Sequence, residues 1–209
     1  FAAGIEAAFT RFPILEPSFL YGGYPCKDLR HKFLLAQDSQ AKEITDLGFP
    51  KELEAIPLKG HFFDMIGIRT PDQAVFLADC VSSEKTLEKY QITFIYDVAE
   101  YLRTLDLVEE MKGEIFVPSH AEASSSVREL VQINRSAVLS VAEKIQALLE
   151  TPCTFEALLQ QIFRDYGLTM NFEQYVLIGS TVRSYLSWLK DQGKITAVFE
   201  NNLLLWSRC

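Results

Sequence analysis

The order of apolar patterns predicts an α/β domain over residues 1–150 and a small helical module over residues 151–209. Three observations carry this. Short β-type runs, Ala55-Ile56-Pro57-Leu58, Ala74 to Ala78 and Glu114 to Val117, are spaced along the first part. Between and after them lie stretches whose apolar residues recur with the period of a helix, the alternation of α/β proteins. Thr151-Pro152 then breaks the chain, and helix, turn, helix and β-ribbon follow.

Composition sets the limits. The 209 residues are 48% hydrophobic and 23% charged, ordinary for a globular chain. A net charge of −8 argues against broad affinity for nucleic acid or an anionic membrane. No apolar run approaches the roughly 20 residues of a membrane span, and no signal peptide is evident. Cys26, Cys80, Cys153 and Cys209 are scattered and form no C-x-x-C pair, so they read as reduced thiols of a cytoplasmic protein. Cys80 reads as a small buried thiol filling space.

Residues 1–12 pattern as a short helix with Ile5, Ala8 and Phe9 on one face. Pro13 to Pro25, with its prolines and Gly22-Gly23, reads as an irregular loop, apolar enough to pack on the core or on a pocket floor. A helix is expected over 26–46 through Leu29, Phe33 and Ala36, with Lys27, Arg30, His31 and Lys32 on a solvated face. Residues 54–81 read as strand, loop, strand, tight turn at Thr70 to Gln73, strand. Ser82 to Lys89 is polar. Asp97 with Glu100 opens a helix, and Ser126 with Glu129 opens a longer one through Leu130, Asn134, Ala137, Val138, Val141, Ile145 and Leu148. In the last part, Phe155 to Tyr166 and Phe172 to Lys190 read as helices, and Ile195 to Phe199 pairs with Leu203 to Trp206.

Three residues have metal-ligand chemistry where strands stop. His61 follows Gly60 after the first run, Asp79 closes Ala74 to Ala78, and His120 closes Phe116-Val117-Pro118-Ser119. Taken singly, each has a plainer reading. A lone histidine past a strand is commonly a hydrogen-bonded surface residue, and a lone aspartate a turn former or helix cap.

Together they form a pattern. Gly60-His61, the hairpin across Thr70-Pro71-Asp72-Gln73, Phe76-Leu77-Ala78-Asp79 and Val117-Pro118-Ser119-His120 resemble, in order and spacing, the second half of the metallo-β-lactamase superfamily. That resemblance covers about residues 1–150. It implies part of an αββα sandwich with metals at one edge, here followed by a winged-helix-like module. It further implies that His61, Asp79 and His120 are metal ligands, with Asp79 bridging two divalent ions. Zinc is the first expectation, and iron or manganese also suits such donors. One departure is local: where the family often has a second histidine in this loop, the chain has Met65.

A larger departure is the absence of the family's H-x-H-x-D-H motif. Only sixty residues precede His61, and none contains it. The expectation is therefore that this chain is the C-terminal portion of a larger protein whose N-terminal portion supplies that motif. A natural chain with a degenerate, metal-free site is the alternative. A catalytic zinc typically needs three protein ligands and an open position. The three residues split over two ions close neither sphere, so the chain alone is expected to be inactive.

The resemblance implies a metal-dependent hydrolase of a small ester, thioester or lactone-type substrate. The competing reading is a non-catalytic regulator whose C-terminal module binds DNA or protein. Five basic and five acidic residues give 151–209 no net charge, and its second helix is strongly apolar, which favours packing or a homodimer contact over nucleic acid.

Overall fold

The structure, a computed structural model, describes residues 1–31 and 33–209. One four-stranded sheet carries all three candidate residues or their loops. Its strands are β1 (Glu54–Pro57), β2 (Ile66–Arg69), β3 (Ala74–Ser82) and β4 (Ile115–His120), side by side in that order. The first two pairings are antiparallel and the third is parallel. The β2–β3 turn closes through Gln73 N–H donating to the Thr70 carbonyl at 2.9 Å. A parallel pair needs a crossover, and the chain makes it with α3 (Glu84–Tyr90) and α4 (Val98–Glu109), following α1 (Glu6–Arg11) and α2 (Leu15–Tyr21).

Ile56, Val75, Leu77 and Phe116 turn one sheet face into the core, where α4 and the long α5 (Arg128–Leu148) cover it. The opposite face is apolar and only partly covered. Ala55, Ile68, Phe76 and Val117 stand in register across it, and no described residue buries any of them. On this side Phe76 and Ile115 are 44% and 40% exposed.

Strand β3 carries a bulge. Phe76 pairs with Val117 and Ala78 with Pro118, so β3 has one residue more than β4 between these pairs. Ala78 takes up the extra residue at φ 47°, a left-handed conformation rare for anything but glycine. The consequence is directional. Val75 and Leu77 are buried, and strict alternation would send Asp79 inward after them. Instead Cys80 and Val81 are buried, and the Asp79 side chain emerges 38% exposed.

Helices α6 (Phe155–Asp165) and α7 (Phe172–Asp191) precede a hairpin of β5 (Ile195–Glu200) and β6 (Leu203–Arg208). Asn201 and Asn202, both at positive φ, make its two-residue turn. The expected boundary at Thr151-Pro152 falls in the link between α5 and α6, yet the core runs across it. Leu158, Ile162, Val182 and Tyr185 belong to the same buried cluster as the sheet residues. Side chains on α7 also serve the segment before α4. Thr181 Oγ1 accepts from Ile95 N–H at 3.3 Å, and Ser184 Oγ donates to the Tyr96 carbonyl at 2.7 Å.

Several local expectations need correction. Residues 15–21 are helical rather than looped, because Pro17 falls in the first turn, where its missing N–H has no partner to lose, and Gly22 at φ 77° caps the end. The helix expected over 26–46 is reduced to a 3-10 turn, Lys27–Leu29. Leu29 and Leu34 are the buried pair there, too far around a helix to share a face, while Phe33 is 64% exposed. Lys32 of the expected basic cluster lies outside the described residues. In α1 the buried residue is Ala7, while Ile5 is exposed. Polar residues 84–90 form a helix that buries nothing, capped by Ser83 accepting from Thr86 N–H, so no apolar stripe marked it. The Asp97 cap is present, accepting from Glu100 N–H at 3.0 Å. Its counterpart at Ser126 is absent: α5 begins at Arg128 without a side-chain cap, and Ser126 N–H donates to Ser124 Oγ.

Asn134, read above as part of an apolar stripe, is a buried tether. Its Oδ1 accepts from Ser82 N–H at 3.0 Å, and its Nδ2 donates to the Ser82 carbonyl at 2.7 Å. Asn134→Leu leaves both backbone groups unpaired in the core, and denaturant unfolding should show a loss of about 2–4 kcal/mol. Ala78→Val puts a β-branched side chain at positive φ and should lower stability by ~1–2 kcal/mol relative to wild type. An unchanged melting temperature would show that the bulge does not require that conformation.

Candidate functional site

Gly60 ends the run from β1 with φ 109°, and a Cβ there would collide with the backbone of Tyr101 at the start of α4. Only glycine allows that approach. Its carbonyl accepts from Tyr96 N–H at 2.9 Å and Asp97 N–H at 3.0 Å, which pins the loop to the entry of α4. His61 follows directly and its own carbonyl accepts from Tyr96 N–H at 3.2 Å. His120 ends β4, and its carbonyl accepts from Ser83 N–H at 2.9 Å, just beyond the end of β3. Parallel pairing of β3 and β4 thus brings Asp79 and His120 to the same sheet edge.

The three expected residues meet. His61 Nε2 lies 3.8 Å from Asp79 Oδ2, and His120 Nε2 lies 3.4 Å from Asp79 Oδ1. Each imidazole faces a different oxygen of one carboxylate. Among the described residues, no three His, Cys, Asp or Glu side chains gather around a single point as a complete metal site. The arrangement is a line with Asp79 in the middle. Burial lowers the His61 pKa below its ordinary value, while the Asp79 charge opposes that shift. The direction matters for ligation, because a neutral imidazole offers a lone pair. His31 lies apart, 3.9 Å from Glu173. Cys80, next in sequence to Asp79, is fully buried, and its thiol is pushed up to about 12.

A cavity of about 420 Å³ opens beside His61 and Asp79. Phe9, Phe62, Phe94 and Leu177 supply apolar walls, and Glu6 and Glu16 face it from α1 and α2. Packing of Phe62 against Phe9, with ring centroids 5.0 Å apart, ties the histidine loop to α1. A second tie is polar. Asp64 Oδ1 pairs with Lys59 Nζ at 2.7 Å, and Asp64 Oδ2 accepts from Ile5 N–H at 3.2 Å. Asp64 N–H in turn donates to Glu6 Oε1 at 3.1 Å. The hydrogen bond from Lys59 holds the Asp64 carboxyl below the usual range. Burial raises Glu6 to about 7 despite that backbone hydrogen bond, and burial also raises Glu16. A larger cavity, about 750 Å³, lies between α2, α4 and α7, lined by Arg183 and Trp188 but by none of the three central residues.

Sequence reading missed Glu6, Glu16 and Asp64. Each sits in an ordinary helical or loop context, and their convergence depends on two N-terminal helices folding back over the histidine loop.

Glu6 makes a pH test of that wall. Its pKa rises from 4.5 to about 7 on folding, so the stability that it contributes is complete below 4.5 and is lost as pH rises through 7. Glu6→Gln should flatten the fall in melting temperature between these values and leave the variant at least as stable as wild type at pH 8. Parallel curves for the two proteins would contradict the burial of Glu6.

No protein-family model matches this chain, and no curated protein matches it in sequence. Solved structures do match. One is the crystal structure of a metallo-beta-lactamase family protein from Thermus thermophilus, with a TM-score of 0.71 at 13% identity over 100% of this chain and 71% of that one. Another is a beta-lactamase domain protein from Burkholderia ambifaria, with a TM-score of 0.65 at 16% identity over 93% of this chain. This chain spans 58% of the Burkholderia protein. Both matches run through the sheet and on into the C-terminal helices. The chain therefore carries the metallo-β-lactamase fold.

Proposed function

We propose that this chain forms part of a metal-dependent hydrolase acting on a small ester, thioester or lactone-type substrate. His61 and His120 would each hold one of two divalent ions, with Asp79 bridging them. The observation that carries this reading is the pair of imidazole nitrogens facing separate oxygens of one carboxylate at the mouth of an apolar cavity. Two nitrogens and a carboxylate suit zinc, with iron or manganese also compatible. When bound, a pair of such ions polarises a carbonyl and makes hydroxide available near neutral pH.

The chain's own residues do the rest. Asp79, turned out of the core by the bulge, presents both oxygens. Burial of His61 favours its neutral form. Phe9, Phe62 and Phe94 hold the apolar part of a substrate and exclude water from the side of the reacting bond. Three donors strung over two positions leave both coordination spheres open, so further ligands come from protein beyond these donors. The partly exposed row Ala55, Ile68, Phe76 and Val117 offers a surface on which that protein would pack.

The nucleic-acid alternative finds less support. Arg183, a cation of α7 that a phosphate contact would call on, lies over the Phe155 ring with its guanidinium carbon 3.8 Å from the centroid.

In the full-length protein, His61→Ala, Asp79→Asn and His120→Ala should each lower metal content and cut ester or thioester hydrolysis by roughly 100-fold or more. Metal content by mass spectrometry and initial rates are the paired readouts. Full activity in all three variants would place the reaction elsewhere.

A further inference from the structure

The cavity beside His61 and Asp79 has a chemical character that the choice of reaction does not explain. Its walls are largely aromatic and aliphatic, yet besides Asp79 two further carboxyl groups, Glu6 and Glu16, face into it. Among the described residues no lysine or arginine lines it. Lys59, the cation of the adjoining latch, is held by Asp64 at 2.7 Å. Glu6 has one backbone donor, Asp64 N–H, and no ion pair among the described residues. Carboxylates half-buried in an apolar wall are costly without a cationic partner. Here the space in front of them is open, and aromatic rings surround it. Rings and carboxylates attract the same kind of guest, an organic cation with an apolar stem, and both repel anions.

We propose that this cavity selects substrates whose apolar portion bears an ammonium or similar organic cation, with Glu16 as its main counter-ion and Phe9, Phe62 and Phe94 around the stem. The inference rests on the hydrolase reading for the word substrate, but the recognition itself is independent of hydrolysis. Glu16 comes from α2, and its side chain is free of the latch that occupies Glu6, so it is the group that can turn to a guest. Anionic acyl groups are disfavoured by the same two carboxyls.

Binding to chelator-treated full-length protein tests this without any reaction. Three probes of matched shape serve: 4-phenylbutylammonium, 4-phenylbutan-1-ol and 4-phenylbutyrate. Titration calorimetry at low salt should show the ammonium binding at least about tenfold tighter than the alcohol, and the butyrate weakest. Glu16→Gln should bring ammonium and alcohol to within about twofold while sparing the alcohol. The wild-type comparison needs no variant, and Asp79→Asn controls for the third carboxyl of the cavity: the ammonium preference should persist in it, and its loss there would overturn the assignment to Glu16. Equal binding of ammonium and alcohol, tighter binding of the butyrate, no detectable ammonium binding, or a preference that survives Glu16→Gln would each overturn the proposal. Cation preference without hydrolysis by the metal-loaded protein would uphold the cavity's role and sink the hydrolase reading. Hydrolysis without cation preference would do the reverse.

Discussion

One extra residue in a strand governs the geometry of the candidate site. Without the bulge at Ala78, the alternation that buries Val75 and Leu77 would bury Asp79 as well, and a lone carboxylate in that core would have no partner. With it, Cys80 and Val81 take the inward positions, and Asp79 opens toward two imidazoles. Left-handed backbone at an alanine costs free energy, and the surrounding sheet must outweigh it. The packing that does so is local and strong: β4 runs parallel alongside, and Asn134 grips the far end of β3 at Ser82.

The two histidines depend on different constraints. His120 is placed by the parallel register of β4 against β3. His61 is placed by a loop whose glycine touches the backbone of α4 and whose carbonyls are held by Tyr96 and Asp97. That segment is in turn held by Thr181 and Ser184 of α7. The C-terminal helices are thus mechanically part of the site's support, although they contribute no central residue. On the opposite side, α1 and α2 close over the loop through the Phe9–Phe62 contact and the Asp64 latch, which turns an edge of a sheet into the wall of a cavity.

Much of this was legible in the residues. Short β-type runs ending in His, Asp and His, with a helical crossover between the last two, specify both the sheet and the convergence. The Asp97 cap and the pairing of Ile195 to Phe199 with Leu203 to Trp206 were equally direct, because their chemistry is local. What was hidden depended on contacts across the chain. Residues 15–21 carry the punctuation of a loop, yet Pro17 and Gly22 merely begin and end a helix. Asn134 looked like one more position of a stripe, and only the fold shows it bonded to Ser82. Glu6 and Glu16 carry no motif, and their convergence on the cavity exists only once α1 and α2 pack against residues 61–65.

In the proposed hydrolase, Asp79 would lie between two ions, each held by its own histidine. Crystals of the full-length protein grown with zinc or manganese, measured at the absorption edge of the metal, test it directly. The expected result is two anomalous peaks flanking the Asp79 carboxylate, one against His61 Nε2 and one against His120 Nε2. A single peak shared by both histidines, or no peak at Asp79 under saturating metal, would contradict it.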